Sequence, residues 1–453
     1  MKHLSALDAL FLQLETPATP MHVGSLMLLE KRPFKAFRDH IAARLDLAPI
    51  FTHKLGFMPL DLANPVWLRA GRVDLERHIR RLVLPKPGTR AQLDAAVARL
   101  HEGLLDRDYP LWEFTVIEGL KTGEVGIYAK LHHAALDGQG GIAVAQALLD
   151  TQARPPKRTG AGAEPAKTYL PPSTAKMLGA ALRNTVAQYG RIVKALPETL
   201  KAMGRAGAVA VTAPKVKGAS APRTPLNGEI GAGRAFVSAN VPLAEAKEIA
   251  RRFDVKLNDV VLATCAGALR ETFPAKQPMV GAVPASLRAP GDTTRANEVT
   301  MMLVGLATNI SNPAKRLAAI HAAAGRAKKL TGSARGAIPM DLPSLGVPWL
   351  MALASGLHRK VVATGRGPVI ANVVISNVPG PQMPLYMAGA RATAYYPVSI
   401  VTHGLGLNIT IISYDGSLGY GLVACKDTMP GLRAFAKRLQ DSHTELLKLA
   451  RRK

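Results

Sequence analysis

Residues 125–150 read VGIYAKLHHAALDGQGGIAVAQALLD, a strand pattern joined to a helix pattern across a glycine-rich turn. Apolar residues alternate from Val125 to Leu131, and alternate residues of a strand point to opposite faces. His133 continues the apolar face of this predicted strand, whereas His132 points the other way. We therefore expect His133 to face the interior or a channel, and His132 to be structural.

The upstream segment YPLWEFTVIEGL is predicted to pair with this strand as a hairpin through the turn LKTGE. This register places Pro110 opposite His133 and Trp112 opposite Leu131, within a slip of one or two residues. Pro110, Leu111 and Trp112 are therefore candidate pocket residues, where a bulky indole would exclude water. From spacing alone, Trp112 is equally compatible with an ordinary core tryptophan.

The turn DGQGG follows the histidines and precedes the helix pattern IAVAQALLD. Gly138 permits a tight strand-to-helix turn and lets backbone approach a substrate closely. Asp137 has three possible roles: it can orient an imidazole, pair with a distant arginine, or cap the helix.

A neutral imidazole is a natural general base for taking a proton from an alcohol or an amine. Metal binding is the rival role, but adjacent strand histidines diverge and no cysteine or glutamate cluster completes a ligand set, so we expect no metal. The chain has no G-x-S-x-G elbow, no phosphate-binding P-loop and no well-placed G-x-G-x-x-G. These observations favour a lone base that activates a hydroxyl for direct attack on a thioester.

Composition restricts the class of protein. The 453 residues are too many for one ordinary core, which favours two domains. A net charge of +26 favours anionic partners, while the 5% aromatic content and the lack of a basic motif interleaved with aromatics argue against nucleic acid. Two distant cysteines and the absence of a leader or an uncharged bilayer-length apolar run favour a cytoplasmic protein.

The chain divides into three predicted parts: an N-terminal domain over 1–150, a basic linker rich in proline, glycine and alanine over 151–235, and a C-terminal domain over 236–453. The linker contains an amphipathic helix pattern that can either lie on an anionic membrane or pack as a crossover helix. The apolar stretch at 338–360 is predicted to contact a lipid surface rather than to span a bilayer.

Both halves have mixed α/β patterns. Helices are predicted in PFKAFRDHIAARLD, TRAQLDAAVARLHEGLL and NPAKRLAAIHAAAGRAKKL. Strands are predicted in EFTVIEGL, VGIYAKLHH, NVVISNVPG and LNITIISYDGSLGYGLVA, and the Asp-Gly of the last indicates a hairpin.

Residues 132–138, HHAALDG, match the HHxxxDG motif of the superfamily that includes chloramphenicol acetyltransferase and peptide-synthetase condensation domains. Further motifs agree along nearly the whole length outside 151–235: LSALDALFL, TPMHVGSL, YPLWEFTVIEGL, LNDVVLA, VPASLR, NVVISNVPGP and YPVSIVTHGLGLNITIISYDGSLGYGL. The sequence thereby resembles the bacterial wax ester synthase/diacylglycerol acyltransferase family.

This resemblance implies two chloramphenicol acetyltransferase-like domains, joined by a helical crossover linker, with an active-site channel between them. It implies His133 as general base and Asp137 as a residue that shapes the site, and Arg288 is our candidate arginine partner. Asn258 and Asp259 match the family's Asn-Asp pair, although Asn258 also suits a helix N-cap.

The implied reaction transfers an acyl group from acyl-CoA to a long-chain alcohol or to diacylglycerol, with no cofactor, at the cytoplasmic face of a membrane or on lipid droplets. Two alternatives remain within the fold: a condensation-type enzyme with another acceptor, and a non-catalytic lipid-binding or lipid-droplet protein. A nucleic-acid binder rests on charge alone.

Overall fold

A computed structural model describes residues 2–58, 64–136, 140–155, 221–286, 299–333 and 367–452, together with residues 360, 362, 364 and 365. Most of the predicted linker, its amphipathic helix and nearly all of the apolar stretch at 338–360 lie outside the described residues. The same holds for Asp137, Gly138 and Arg288, so the roles of these three residues stay predictions.

The described part is a mixed α/β structure. Its helices are α1 (Ala6–Leu14), α2 (Phe34–Ala42), α3 (Pro49–Thr52), α4 (Leu75–His78), α5 (Arg90–Glu102), α6 (Gly140–Leu148), α7 (Leu243–Phe253), α8 (Leu257–Thr272), α9 (Pro313–Ser333) and α10 (Leu432–Arg452). Its strands are β1 (Lys2–His3), β2 (His22–Leu29), β3 (His53–Gly56), β4 (Val66–Arg69), β5 (Ile79–Val83), β6 (Trp112–Glu118), β7 (Val125–His132), β8 (Arg234–Pro242), β9 (Val280–Ser286), β10 (Val299–Gly305), β11 (Val373–Val378), β12 (Tyr386–Met387), β13 (Ala390–Val398), β14 (Leu407–Tyr414) and β15 (Ser417–Cys425).

His132 ends β7, one of the two central strands of a six-stranded sheet with the order β12-β13-β2-β7-β6-β5, and His133 follows it directly. The predicted hairpin is confirmed, because β6 and β7 pair antiparallel with Trp112 opposite Leu131. On its other side β7 pairs with β2, which places His22 opposite His132. All eight residues of β7 are buried, so both faces of this strand are covered, not only the apolar one.

A second six-stranded sheet has the order β10-β9-β11-β14-β15-β8. The largest hydrophobic core lies between this sheet and the helices α7, α8, α9 and α10. The predicted Asp415-Gly416 hairpin is confirmed, since β14 and β15 pair up to Tyr414 opposite Ser417. Its two turn residues have positive φ angles of 42° and 80°, as a tight hairpin turn requires.

Strands from the C-terminal half complete the N-terminal sheet, because β13 pairs with β2 from Val398 opposite Gly24 to Ala392 opposite Leu29. The two sheets meet where β13 crosses β15. A Cβ on Gly421 would lie 1.6 Å from the Pro397 carbonyl oxygen, and one on Gly419 would lie 2.1 Å from that of Tyr395. Glycine at these positions therefore lets two backbones pack in direct contact.

The mixed α/β class and the predicted strands and helices within the described residues are confirmed, with one local difference. His133 does not extend the strand, because β7 ends at His132 and His133 begins a 3₁₀ turn over His133–Ala135. The boundaries 1–150, 151–235 and 236–453 stay a prediction, as does the channel. No helix in the described ranges is both long enough and apolar enough to cross a bilayer.

Candidate active site

His133 is held at the end of the central strand by its backbone. Its N–H donates to the Met21 carbonyl at 2.9 Å, and its carbonyl accepts from the Leu136 N–H at 3.1 Å. The side chain is half-buried and stacks on the Phe11 ring, with centroids 3.8 Å apart and planes 21° apart. The ring therefore has a defined orientation, supplied by helix α1 and the turn together.

The electrostatics of His133 favour a neutral imidazole. Burial lowers the pKa of His133 to about 4, opposed by a hydrogen bond to its own backbone and assisted by the charge of His132. The Nδ1 atom is buried and has no hydrogen-bond partner on another residue in the part of the chain that the structure describes. Nε2 is therefore the nitrogen left for chemistry at neutral pH.

His132 is fully buried. Its Nδ1 accepts a hydrogen bond from the Ala134 N–H at 3.0 Å, which places the ring proton of the neutral tautomer on Nε2. Nε2 lies 3.2 Å from Oε1 of Glu15, whose side chain is only 1% exposed. These contacts agree with a structural role for this ring.

Glu15, Arg107 and Phe11 were missed by sequence reasoning. Arg107 donates to Oε2 of Glu15 from Nη2 at 2.9 Å and from Nε at 3.3 Å. The one available signal was Glu15 itself, the single acidic residue between Asp8 and Glu30. A pattern cannot show that its carboxylate is buried against a histidine far along the chain.

The predicted pocket residues Pro110, Leu111 and Trp112 lie next to the end of β7, and their role as pocket residues stays a prediction. The Leu111 carbonyl accepts from the His132 N–H at 3.0 Å, and the Leu111 side chain packs in a core cluster with Ala134. Pro110 does not pair with His133, because the ladder ends at Trp112 and the N–H of His133 is taken by Met21.

Trp112 has the contacts of a core tryptophan. It is fully buried, its Nε1 donates to the Phe51 carbonyl at 3.2 Å, and its ring stacks on His78 with centroids 4.2 Å apart. Of the two interpretations that spacing allowed, these contacts support the core residue.

Asn258 and Asp259 lie in the first turn of α8, and the N-cap prediction for Asn258 is wrong. Lys256 occupies the N-cap position, and its N–H donates to Oδ2 of Asp259 at 3.0 Å. The same carboxylate lies 2.6 Å from Nδ1 of His321, while Asn258 accepts from the Asn377 amide at 3.3 Å. The third residue of the helix supplies the capping side chain because its carboxylate can fold back onto the first turn.

Among the residues that the structure describes, the His, Cys, Asp and Glu side chains form no group of three or more that could hold a metal ion. Both cysteines, Cys265 and Cys425, are free and buried.

Comparison with known protein families gives two matches. The model of the wax ester synthase/diacylglycerol acyltransferase catalytic domain matches residues 4–261. The model of the WS/DGAT C-terminal domain matches residues 296–447. Together the two matches cover the histidine motif and the two six-stranded sheets except β9, which lies between the matched ranges.

Curated relatives align over nearly the whole chain. A putative diacylglycerol O-acyltransferase of Mycobacterium tuberculosis H37Rv is 36% identical, covering 98% of this chain and 99% of its own. A probable diacylglycerol O-acyltransferase of the same strain, tgs2, is 33% identical, covering 97% of each chain.

Solved structures agree with the sequence comparisons. The wax ester synthase/diacylglycerol acyltransferase from Marinobacter aquaeolei VT8 matches with a TM-score of 0.71 and 29% identity, over 99% of this chain and 100% of its own. A mutant starter condensation domain of rhizomide synthetase RzmA matches with a TM-score of 0.55 at 14% identity, over 98% of this chain and 94% of its own, which supports the fold alone. The chain therefore belongs to the wax ester synthase/diacylglycerol acyltransferase family, and the protein is an acyltransferase.

Proposed function

We propose that the protein transfers a long-chain acyl group from acyl-CoA to the hydroxyl of a fatty alcohol or of diacylglycerol, with His133 as general base. The observation that carries the proposal is a neutral, half-buried imidazole fixed at the end of the central strand. The names of the relatives support an O-acyl acceptor, and the net charge of +26 suits the phosphates of CoA.

In the proposed step, Nε2 of His133 takes the hydroxyl proton as the oxygen attacks the thioester carbon. A carbon–oxygen bond forms, the tetrahedral oxyanion collapses, and the carbon–sulfur bond breaks. The CoA thiolate then recovers the proton from the imidazolium. A pKa near 4 makes the free ring a weak base, but the oxyanion that develops beside it raises that pKa during the reaction.

A product survey tests the proposal. Purified protein is given palmitoyl-CoA with hexadecanol, dipalmitoylglycerol or hexadecylamine, and thiol release and lipid chromatography are followed. Ester from either hydroxyl acceptor supports the proposal and identifies the acceptor. Amide alone favours condensation-type chemistry, and vesicle binding without any product favours a non-catalytic lipid-binding protein. Because the acceptors are lipids, we expect the protein to act at a lipid surface, on the cytoplasmic side.

The stack on Phe11 gives a prediction for pH dependence. Phe11→Ala uncovers the His133 ring, so its pKa is expected to rise from about 4 towards 6.5, because water favours the charged form. Activity requires the neutral ring, so the acid limb of the kcat/KM profile should move to higher pH in the variant. Phe57→Ala, at an exposed phenylalanine, is the control. An acid limb that stays in place in Phe11→Ala would contradict the assignment.

A further inference from the structure

We propose that Glu15 is a positioning residue, which sets the place and orientation of the His133 ring through three separate chains of contacts. This inference rests on the proposed function, because positioning the His133 ring affects the reaction only if His133 is the general base. Glu15 follows helix α1 and does not touch His133 directly in the described contacts.

The first chain of contacts runs through His132. Oε1 of Glu15 lies 3.2 Å from Nε2 of His132, an electrostatic contact without the alignment of a hydrogen bond, so the carboxylate holds the ring in place by its charge. Nδ1 then accepts the Ala134 N–H at 3.0 Å. Ala134 is the residue after His133 in the 3₁₀ turn, so this bond fixes the backbone immediately beyond the base.

The second chain runs through Met21. Oε1 of Glu15 accepts the Met21 N–H at 3.1 Å, and the Met21 carbonyl accepts the His133 N–H at 2.9 Å. The two backbone hydrogen bonds of Met21 therefore connect the Glu15 carboxylate to the backbone nitrogen of His133.

The third chain runs through Arg107 and helix α1. Arg107 binds Oε2 of Glu15 and also donates from Nη2 to the Leu12 carbonyl at 2.7 Å. Leu12 is adjacent to Phe11, whose ring stacks on His133. The pair of Glu15 and Arg107 therefore anchors the helix that covers one face of the imidazole.

Glu15 acts in this arrangement as a charged group. Burial raises its pKa, but His132, the Met21 N–H and Arg107 act against burial, and the net direction is downward. A carboxylate that stays ionised while almost fully buried needs all of these partners, so removing its charge loosens three contacts at once.

The experiment compares Glu15→Gln with Asp150→Asn in the full chain. Asp150 is the matched control, because its carboxylate is also buried and pairs with Arg44 at 3.0 Å, away from the described contacts of His133. Thermal midpoints, kcat, and KM for palmitoyl-CoA are measured with the hydroxyl acceptor that gives product. We expect kcat of Glu15→Gln to fall roughly 10–100-fold with KM unchanged, because a displaced base slows only the chemical step.

Asp150→Asn, with a comparable loss of thermal midpoint, is expected to keep its kcat. Equal kcat losses in the two variants, or a loss in Glu15→Gln that appears only in KM, overturn the inference. If Glu15→Gln does not fold, Arg107→Gln takes its place in the comparison. Arg107 is one-third exposed, so its replacement is expected to disturb folding less and to lower kcat by a smaller factor, with KM again unchanged.

His133→Ala separates the two proposals. If that variant retains normal turnover, the proposed function fails and takes the inference with it. If His133→Ala is inactive while Glu15→Gln matches Asp150→Asn, the inference alone fails.

Discussion

Gly421→Ala is expected to destabilise the protein by at least the upper end of the range of about 1–3 kcal/mol that overpacking usually costs. The new Cβ would lie 1.6 Å from the Pro397 carbonyl oxygen and 2.7 Å from its carbon. Both are backbone atoms of β13, which is already paired with β2, so they cannot move without breaking that ladder. The two sheets are therefore expected to separate at this crossing.

Gly305→Ala is the matched control for this prediction. Gly305 ends strand β10, has an ordinary φ angle, and a Cβ there meets no atom within 4 Å. Its urea midpoint should change little, with an effect below about 1 kcal/mol. Equal midpoints for Gly421→Ala and Gly305→Ala would show that the sheets do not pack through this glycine.

Local elements were predictable because their signals lie within a few residues. The Asp415-Gly416 turn could be read from its dipeptide, since both residues tolerate the positive φ that the turn requires. Helix α5 begins at Arg90 and is preceded by the N-cap residue Thr89, whose side chain forms a capping box with Gln92. The register of Trp112 opposite Leu131 followed from the length of the turn between their strands.

The contacts that join distant segments were not predictable from patterns. The pairing of β13 with β2 depends on strands that lie in opposite halves of the sequence. Glu15 and Arg107 are 92 positions apart, and nothing in their neighbours reveals that they meet. The end of β7 was overestimated by one residue because Met21, rather than β6, takes the N–H of His133.

His133→Ala is expected to reduce turnover by ~10²–10⁴, the usual contribution of a general base. The variant removes the ring that stacks on Phe11 but leaves the backbone bonds to Met21 and Leu136 in place. The turn should therefore keep its shape, and the thermal midpoint should change far less than the rate. His53→Ala is the matched control, because His53 is also half-buried and the described hydrogen bonds of its side chain go only to Pro49 and Thr52.

The most direct test is the amount of ester that each enzyme molecule forms from palmitoyl-CoA and the hydroxyl acceptor at pH 7. The wild type, His133→Ala and His53→Ala are compared at equal concentrations of folded protein, and the thermal midpoint of each is measured alongside. A collapse of ester formation in His133→Ala alone is the predicted result. Comparable ester yields from all three would contradict the assignment of this imidazole as the base.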